Sequence, residues 1–184
     1  MLVIGITGTL GSGKGTVVQH LTEKGFSHYS ARDLLYEEVM RRGMPRNRDS
    51  LTAVGESLRG MNGPSYVIDT LYARAEEAGK DAVIESVRAV GEAESLKSKG
   101  AILISVDADS KVRYERILWR ASDTDRVSFD RFLLDEKRES EGREPGRMNI
   151  PASMALADFA IQNDGTVEEL HRQVDRILAT VWPT

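Results

Sequence analysis

Short apolar runs recur along the chain, and stretches in which apolar residues have helical spacing separate them. The runs predict five strands, at Leu2 to Ile6, Phe26 to Tyr29, Ala82 to Ile84, Ala101 to Val106 and Phe159 to Ile161. Strands that alternate with helices indicate a parallel sheet with helices on both faces. The pattern therefore predicts an α/β fold, a three-layer sandwich around a five-stranded parallel sheet.

The last predicted helix has the clearest pattern. Thr166 and Glu169 have the spacing of a capping box, in which each side chain bonds the backbone of the other. One apolar stripe follows, made of Val167, Leu170, Val174, Ile177, Leu178 and Val181. A stripe of this period predicts that the helix packs on the sheet.

Two regions interrupt the alternation. Residues 33–79 contain helical segments broken by glycine and proline, which predicts an inserted helical subdomain. Residues 120–147 contain 15 charged residues in 28, six of them arginine, and we interpret them as a lid. A solvated, charged helical hairpin remains the alternative. The remaining core of a single domain over 1–184 then comprises residues 1–32, 80–119 and 148–184.

Composition narrows the function classes. The 184 residues fit one domain, and 25 basic against 29 acidic residues give a net charge of −4. This charge favours neither nucleic acid nor an anionic membrane as partner. No cysteine is present, and no apolar run approaches the ~20 residues that span a bilayer. We expect a cytoplasmic protein, monomeric or homo-oligomeric, without a membrane or nucleic-acid partner.

A glycine-rich segment, GTLGSGKGT, lies between the first strand and the first helix. Glycines let such a loop turn its N–H groups inward onto phosphate oxygens, and the helix N-terminus adds a positive dipole end. Lys14 adds a charge that reaches the β- and γ-phosphates. The predicted nucleotide-binding residues are Gly8, Thr9, Leu10, Gly11, Ser12, Gly13, Lys14, Gly15 and Thr16.

The residue after the lysine departs from the usual pattern. A Ser or Thr normally follows this lysine and ligates Mg²⁺, whereas here Gly15 follows and Thr16 comes one position later. We therefore expect phosphates, water and acids to hold the ion, with Thr16 and Glu85 as the candidate protein ligands.

Polar residues that follow the predicted strands are the next candidates, because ligands bind at the carboxyl edge of a parallel sheet. Asp33 follows the second predicted strand, near the start of a helix. Three roles suit its carboxylate: a general base, an organiser of magnesium or water, and a plain helix-start residue. Glu85 lies at the end of the third predicted strand, where its carboxylate is suited to orient metal-bound water. The guanidinium of Arg88 suits bidentate binding of an acceptor phosphate or carboxylate. A simple Glu85–Arg88 ion pair is the alternative.

Arginines near the predicted lid form another group. Arg116 and Arg120 lie four residues apart on one helical face, which suits binding of a triphosphate, and Arg126 and Arg131 follow in the lid. The segment QNDGT at 162–166 is interpreted as a capped strand-to-helix turn, with a backbone that borders a base as the alternative. The three histidines lack ligand spacing and are predicted to be structural.

These motifs, in this order, resemble those of nucleoside monophosphate kinases. GTLGSGKGT, SARDLL, IESVR and RILWR correspond to the phosphate loop, the start of the acceptor helix, the DGFPR-type segment and the entry to the lid. The tail ADFAIQNDGTVEELHRQV and the loop core GSGK are similar to dephospho-CoA kinases. Archaeal kinase-like proteins related to dephospho-CoA kinase resemble nearly the whole chain, including GESLRGMNGPSYV and the short lid.

The resemblance implies a P-loop NTPase fold of the kinase type, with an acceptor-binding helical insertion and a short lid. It implies transfer of the γ-phosphoryl group of ATP, with Mg²⁺, to a small-molecule acceptor. By the same resemblance Asp33, Arg59 and Arg88 bind the acceptor, while Lys14, Arg120, Arg126 and Arg131 act at the transferring group. IESVR differs from the DGFPR of adenylate kinases, so another acceptor is expected.

We expect an ATP-dependent kinase that acts on a nucleoside or deoxynucleoside monophosphate or a similar molecule. Two alternatives remain at this point. One is transfer to a ribose hydroxyl, as in dephospho-CoA kinases, for which Asp33 serves as base. The other is an ATP-dependent switch or assembly module without kinase activity.

Overall fold

The computed structural model describes residues 1–120, 128–143 and 147–182, except for the side chain of Arg120. Within these residues five parallel strands form one sheet, in the order β2-β3-β1-β4-β5. The strands are β1 (Val3–Gly8), β2 (Ser27–Ser30), β3 (Ala82–Val87), β4 (Ile102–Asp107) and β5 (Phe159–Gln162). This sheet confirms the predicted α/β fold.

Helices connect the strands. Those of the core are α1 (Lys14–Glu23), α5 (Val90–Ser98), α6 (Ser110–Arg120), α8 (Ile150–Ala155) and α9 (Val167–Val181). The region predicted as an insertion contains α2 (Ala31–Arg41), α3 (Arg48–Asn62) and α4 (Tyr66–Ala78), and the region predicted as a lid contains α7 (Phe129–Ser140). Among the described helices, none has both the length and the apolar character needed to cross a bilayer.

The hydrophobic core lies on both faces of the sheet because side chains alternate along the buried strands. On β1, Ile4 and Ile6 belong to a cluster that includes residues of α1 and α9. Val3 faces the other way, into a cluster formed with α4 and α5. A β-carbon at Gly5 would lie 2.7 Å from the Cδ1 atom of Leu96, so a larger residue there would have to displace this side chain of α5. Two buried layers therefore hold β1 at the centre of the sheet.

A third, smaller cluster packs α2 against α3 through Val39, Leu51 and Val54.

The capping box at the start of α9 is present: the Thr166 hydroxyl accepts from the Glu169 N–H, and the Thr166 N–H donates to the Glu169 carboxylate. This agrees with the interpretation of QNDGT as a capped turn.

The strands extend further toward their carboxyl ends than their apolar runs. The sequence predicted that the first strand ends at Ile6 and the third at Ile84, whereas β1 ends at Gly8 and β3 at Val87. The ladder between β1 and β3 continues through the polar residues Glu85 and Thr7, and Gly8 pairs with Val106 of β4; the apolar pattern marks none of these positions. As a result, Glu85 lies within β3, at the edge where the candidate site forms.

Candidate functional site

The glycine-rich segment forms a loop from the end of β1 to the start of α1. Gly8, Gly11 and Gly13 adopt positive φ values of 138°, 80° and 99°. A β-carbon at Gly8 would lie 2.0 Å from the carbonyl oxygen of Val106, and one at Gly11 would lie 2.5 Å from that of Arg113. Glycine is therefore required at these turns both for the backbone angle and for the close packing on β4 and α6.

Lys14 is the first residue of α1, and its side chain turns back over the loop. Its ammonium group donates to the carbonyl oxygens of Gly8 (2.8 Å) and Thr9 (2.6 Å). The first N–H groups of a helix have no acceptor within the helix. The start of α1 thus combines these N–H groups, the positive dipole end and a lysine charge, which together favour a bound anion.

Side chains from distant segments fix the loop from below. The Asn163 amide, which is buried, donates to the Ser12 carbonyl at 2.8 Å. The Thr9 hydroxyl donates to Asp107 at 2.6 Å, and the buried Arg113 guanidinium donates to the Leu10 carbonyl at 3.3 Å. These contacts show how the loop holds a shape that no regular secondary structure provides.

Above the loop lies an open space that we call the loop cleft, about 1450 Å³ including the part continuous with solvent. Its lining comprises Leu10, Gly11, Gly13, Lys14, Gly15, Thr16, Gln19, Arg32, Glu85, Ser86, Arg88, Arg116 and Ile117. The predicted residues Gly8, Thr9 and Ser12 lie in the loop but not in this lining. The hydroxyl of Ser12 is buried and has no hydrogen-bond partner among the described residues. A buried polar atom of this kind fits a loop that binds a polar group.

Glu85 lies beside His28, a residue that sequence analysis set aside as structural. The Nε2 atom of His28 lies 3.6 Å from the Glu85 carboxylate, and Ser30 donates to that carboxylate at 3.1 Å. Contact with Glu85 raises the pKa of His28 above 6.5, although burial opposes the change. Burial raises the pKa of Glu85, but His28, Ser30 and Lys14 outweigh it and hold the pKa below 4.5. Glu85 is therefore an ionised carboxylate in the cleft at neutral pH.

A β-bulge shapes β3 next to the cleft. Ile6 of β1 pairs with Glu85, and Thr7 pairs with Val87, so Ser86 is the extra residue. Ser86 has a φ of 69° and is the one non-glycine residue with positive φ in the described ranges. A β-carbon in this conformation costs roughly 1–2 kcal/mol.

A second space, which we call the arginine cavity, lies between β3 and the α2–α3 pair and measures about 660 Å³, part of it open to solvent. Its lining comprises Leu10, Ala31, Arg32, Leu35, Arg48, Leu51, Thr52, Arg59, Ser86, Arg88 and Met148. Four arginines and an apolar floor together suit an anionic molecule with an apolar part.

Carboxylates partly balance these arginines. The Arg59 guanidinium pairs at 2.7 Å with Glu92, and both side chains are buried. Glu139 of α7 pairs with Arg88 at 3.2 Å and also with Arg48. Burial raises the pKa of Glu139, but the charges of Arg88 and Arg48 outweigh it and hold the pKa below 4.5. The Glu85–Arg88 ion pair, the alternative left open by the sequence, does not form; Glu85 pairs with His28 and Arg88 pairs with Glu139.

The loop cleft and the arginine cavity meet. Leu10, Arg32, Ser86 and Arg88 line both spaces. A group bound on the loop and a group bound among the arginines would face each other at this junction.

The other predicted residues lie at different distances from the junction. Asp33 is an exposed residue in the first turn of α2 and belongs to neither lining among the described residues, whereas its neighbour Arg32 belongs to both. Arg116 lines the loop cleft and donates to the Asn163 carbonyl at 2.8 Å. Arg131 pairs with Asp135 at 3.2 Å. Arg126 and the side chain of Arg120 lie outside the described residues.

Sequence analysis missed Arg113, His28 and Asn163 as supports of the site. Arg113 contacts the Ala108 carbonyl at 2.8 Å, the loop at Leu10 and Glu136 of α7. No sequence motif indicates a role for Arg113, because an arginine inside an amphipathic helix is normally predicted to lie on the surface. The turn that contains Asn163 was a detectable signal, but the turn pattern does not show that its amide reaches the loop.

The described residues contain no cluster of three His, Cys, Asp or Glu side chains that could hold a metal by themselves. Thr16 and Glu85, the predicted Mg²⁺ ligands, both line the loop cleft. They offer a hydroxyl and a carboxylate, the hard oxygen donors that suit Mg²⁺ when phosphates and water complete its coordination.

The sheet order and the glycine-rich loop define an α/β protein of the P-loop type. The sequence model of the AAA domain family matches residues 4–144. The UPF0200 protein of Pyrobaculum aerophilum is 32% identical over 179 residues, which cover 96% of each chain. That of Pyrococcus horikoshii is 28% identical over 99% of this chain and 100% of its own. The chain therefore belongs to the AAA domain family and to the UPF0200 protein family.

Solved structures show the same fold. Shikimate kinase from Acinetobacter baumannii, in complex with shikimate, superposes with a TM-score of 0.63 at 16% identity and covers 100% of this chain and 96% of its own. A gluconokinase from Sinorhizobium meliloti 1021 superposes with a TM-score of 0.56 at 16% identity, over 98% and 93% of the two chains. At these identities the likeness establishes the fold alone.

Two glycines of the loop should respond differently to substitution by alanine. Gly13 has a φ of 99°, and a β-carbon there would lie 2.3 Å from the Asn163 amide, so we expect Gly13→Ala to lower the free energy of unfolding by roughly 2 kcal/mol or more. At Gly15 no neighbouring atom lies within 4 Å of the β-carbon position. Gly15→Ala should therefore leave the free energy of unfolding unchanged or raise it by up to about 1 kcal/mol. Urea denaturation compares the two, and equal losses would contradict the loop geometry.

The His28–Glu85 pair should make stability depend on pH. Because the folded-state pKa of His28 lies above 6.5, its contribution is fully present below pH 6.5 and is lost as pH rises through the raised pKa. On the acid side, the contribution of Glu85 is lost as pH falls below 4.5 through its lowered pKa.

We therefore expect the stability advantage of the wild type over His28→Gln to shrink as pH rises above 6.5. Urea denaturation at a series of pH values measures it. The Glu85→Gln protein serves as the matched control, because its His28 has lost the partner. A wild-type advantage that stays constant from acid to alkaline pH would rule out the ion pair.

Proposed function

We propose that this chain is an ATP-dependent kinase that transfers the γ-phosphoryl group to a small, anionic, nucleotide-like acceptor. One observation carries the proposal: the loop cleft and the arginine cavity meet at Leu10, Arg32, Ser86 and Arg88. A nucleotide-binding switch needs the first space alone. A phosphotransferase needs both, with the reacting atoms at their junction.

The loop cleft is the site for ATP in this proposal. The N–H groups of the loop, the N-terminus of α1 and Lys14 stabilise the β- and γ-phosphates. During transfer, negative charge shifts toward the leaving ADP, and these groups then stabilise it more strongly. Arg116, which lines the same cleft, adds a cation near the triphosphate. Mg²⁺ would be held by Glu85 and Thr16 together with phosphates and water, and it supplies Lewis-acid neutralisation of phosphate charge.

The arginine cavity is the site for the acceptor. Arg32, Arg48, Arg59 and Arg88 offer forked donors that match a phosphate or carboxylate. Leu35, Leu51 and Met148 give the apolar surface that a base or ring requires. An acceptor oxygen attacks the γ-phosphorus while the bond to the bridging oxygen of ADP breaks, so the phosphoryl group passes across the junction.

The assignment of regions follows from these two sites. We assign residues 33–79 to acceptor binding, because α2 and α3 supply Leu35, Arg48, Leu51 and Arg59 to the cavity. We assign residues 120–147 to a short lid that carries Arg120, Arg126 and Arg131, which would exclude water and stabilise the group in transfer.

Replacing Lys14 should abolish transfer without unfolding the chain. We expect Lys14→Ala to lower kcat by about 100-fold or more, because the γ-phosphate loses the lysine cation that stabilises its charge during transfer. The measurement is acceptor-stimulated ADP release in a panel of nucleoside monophosphates, deoxynucleoside monophosphates and dephospho-CoA. Shikimate and gluconate belong in the panel because proteins of the same fold are kinases named for them.

Lys80→Ala is the matched control, because Lys80 is an exposed lysine outside both linings in the described structure. Circular dichroism establishes that both variants fold. Transfer at a near wild-type rate by Lys14→Ala would refute the kinase assignment. ATP turnover that no acceptor stimulates, with nucleotide-dependent capture of a protein partner, would instead favour the switch or assembly module.

Asp33 distinguishes the two kinase classes. If the acceptor is a ribose hydroxyl, as in dephospho-CoA kinases, Asp33 removes its proton, and Asp33→Asn should lower kcat by about 100-fold or more. If the acceptor is a phosphate, no base is needed, and the loss should stay below about tenfold. The kcat of Asp33→Asn on the acceptor found in the panel measures this, with Asp49→Asn on α3 as control.

A further inference from the structure

Ser86 adopts a backbone conformation for which glycine is the natural residue. Its φ of 69° lies in the left-handed region, which disfavours every residue with a β-carbon. Eight glycines of the described residues supply the other positive φ values. Ser86 therefore keeps a side chain at a position where the backbone would be more stable without one.

The bulge in β3 explains why the conformation exists. Glu85 and Val87 pair with consecutive residues of β1, and the Thr7 hydroxyl donates to the Val87 carbonyl at 2.8 Å. The chain must accommodate one extra residue between these fixed neighbours. This requirement accounts for the backbone of residue 86, but a glycine would meet it equally well.

Among the described residues, no hydrogen bond accounts for the Ser86 hydroxyl. Ser86 is half-buried, and its side chain makes no hydrogen bond to any residue that the structure describes. The neighbouring polar side chains do have partners, since Glu85 contacts Ser30 and Arg88 contacts Glu139. The serine hydroxyl is a donor and acceptor that the fold itself leaves unused.

Ser86 lies where its hydroxyl can contact a group at the junction of the two spaces. Ser86 lines both the loop cleft and the arginine cavity, together with Leu10, Arg32 and Arg88. Leu10 has no donor in its side chain, and the donors of the two arginines lie at the ends of long side chains. Ser86 is thus the one short, backbone-fixed donor in the described lining of the junction.

We infer that the Ser86 hydroxyl donates a hydrogen bond to the phosphoryl group as it crosses from the loop cleft to the arginine cavity. The inference rests on the proposed kinase function. A hydrogen bond formed mainly in the transition state raises kcat rather than ground-state affinity. The backbone cost at residue 86 is then a stability loss retained for catalysis.

Two substitutions separate the hydroxyl from the backbone. Ser86→Ala removes the hydroxyl and keeps the β-carbon, whereas Ser86→Gly removes both. Ser86→Gly should raise Tm by about 2–4 °C, and Ser86→Ala should leave it near the wild-type value. Ser98→Ala, on α5 and outside both linings, is the matched control.

The test measures binding of Mg²⁺–ADP with and without aluminium tetrafluoride, which mimics the phosphoryl group in transfer. We expect both Ser86 variants to bind ADP as the wild type does and to bind the ADP–aluminium fluoride complex at least about tenfold more weakly. Ser98→Ala should match the wild type for both. This readout requires no acceptor, so it stays informative if the acceptor panel fails.

Three outcomes would overturn the inference. The first is equal affinity of the wild type and Ser86→Ala for the fluoride complex, and the second is an equal loss for ADP alone. The third is a wild type that binds the fluoride complex no better than ADP. Failure of the kinase proposal looks different: the fluoride complex discriminates among the variants as expected, yet no acceptor stimulates ADP release from the wild type.

Discussion

The anchoring of the phosphate loop by buried and partly buried hydrogen bonds to distant side chains is the interaction on which the rest of the site depends. Asn163 bonds the Ser12 carbonyl, Arg113 bonds the Leu10 carbonyl and Asp107 accepts from Thr9. A loop whose N–H groups point toward an anion leaves its carbonyls facing the protein, where each must find a donor. Asn163 and Arg113 meet this requirement for two of the carbonyls, while Asp107 and Asn163 tie the ends of β4 and β5 to the loop.

Charge balance is the second constraint on the site. A buried arginine without a partner is costly, and Arg59 avoids this cost by pairing with the fully buried Glu92. Glu92 also accepts from the N–H groups of Arg88 and Ala89, so one carboxylate orients both a cavity arginine and the chain that leads to α5. Three of the four cavity arginines, Arg48, Arg59 and Arg88, are therefore paired with carboxylates before any ligand arrives.

The sequence predicted the features that depend on neighbouring residues. The glycine loop, the strand–helix alternation and the Thr166–Glu169 capping box are local patterns, and the structure contains all three. The anchors could not be predicted this way, because Asn163 lies 151 positions from Ser12 and nothing near either residue marks the contact. The same holds for His28, whose partner Glu85 is adjacent only through the pairing of β2 with β3.

The bulge marks another limit of local patterns. A one-residue insertion in a parallel ladder leaves no signal in a run such as IESVR, yet it decides which side chains face the junction. Residue types alone indicated Glu85 and Arg88 as candidates. The backbone conformation added Ser86, because a positive φ is a property of the folded chain and not of a serine.

Glu139 gives the arginine cavity an internal counter-anion. Its carboxylate is shared between Arg48 of α3 and Arg88 beyond β3, and it belongs to the helix α7. Any anion that enters must compete with a tethered carboxylate at high effective concentration, so stray inorganic ions are poor occupants. A ligand anion that pairs with Arg48 and Arg88 would replace the Glu139 carboxylate at both of these contacts of α7. Occupancy of the cavity and the contacts of α7 are thereby linked through a single ionised side chain.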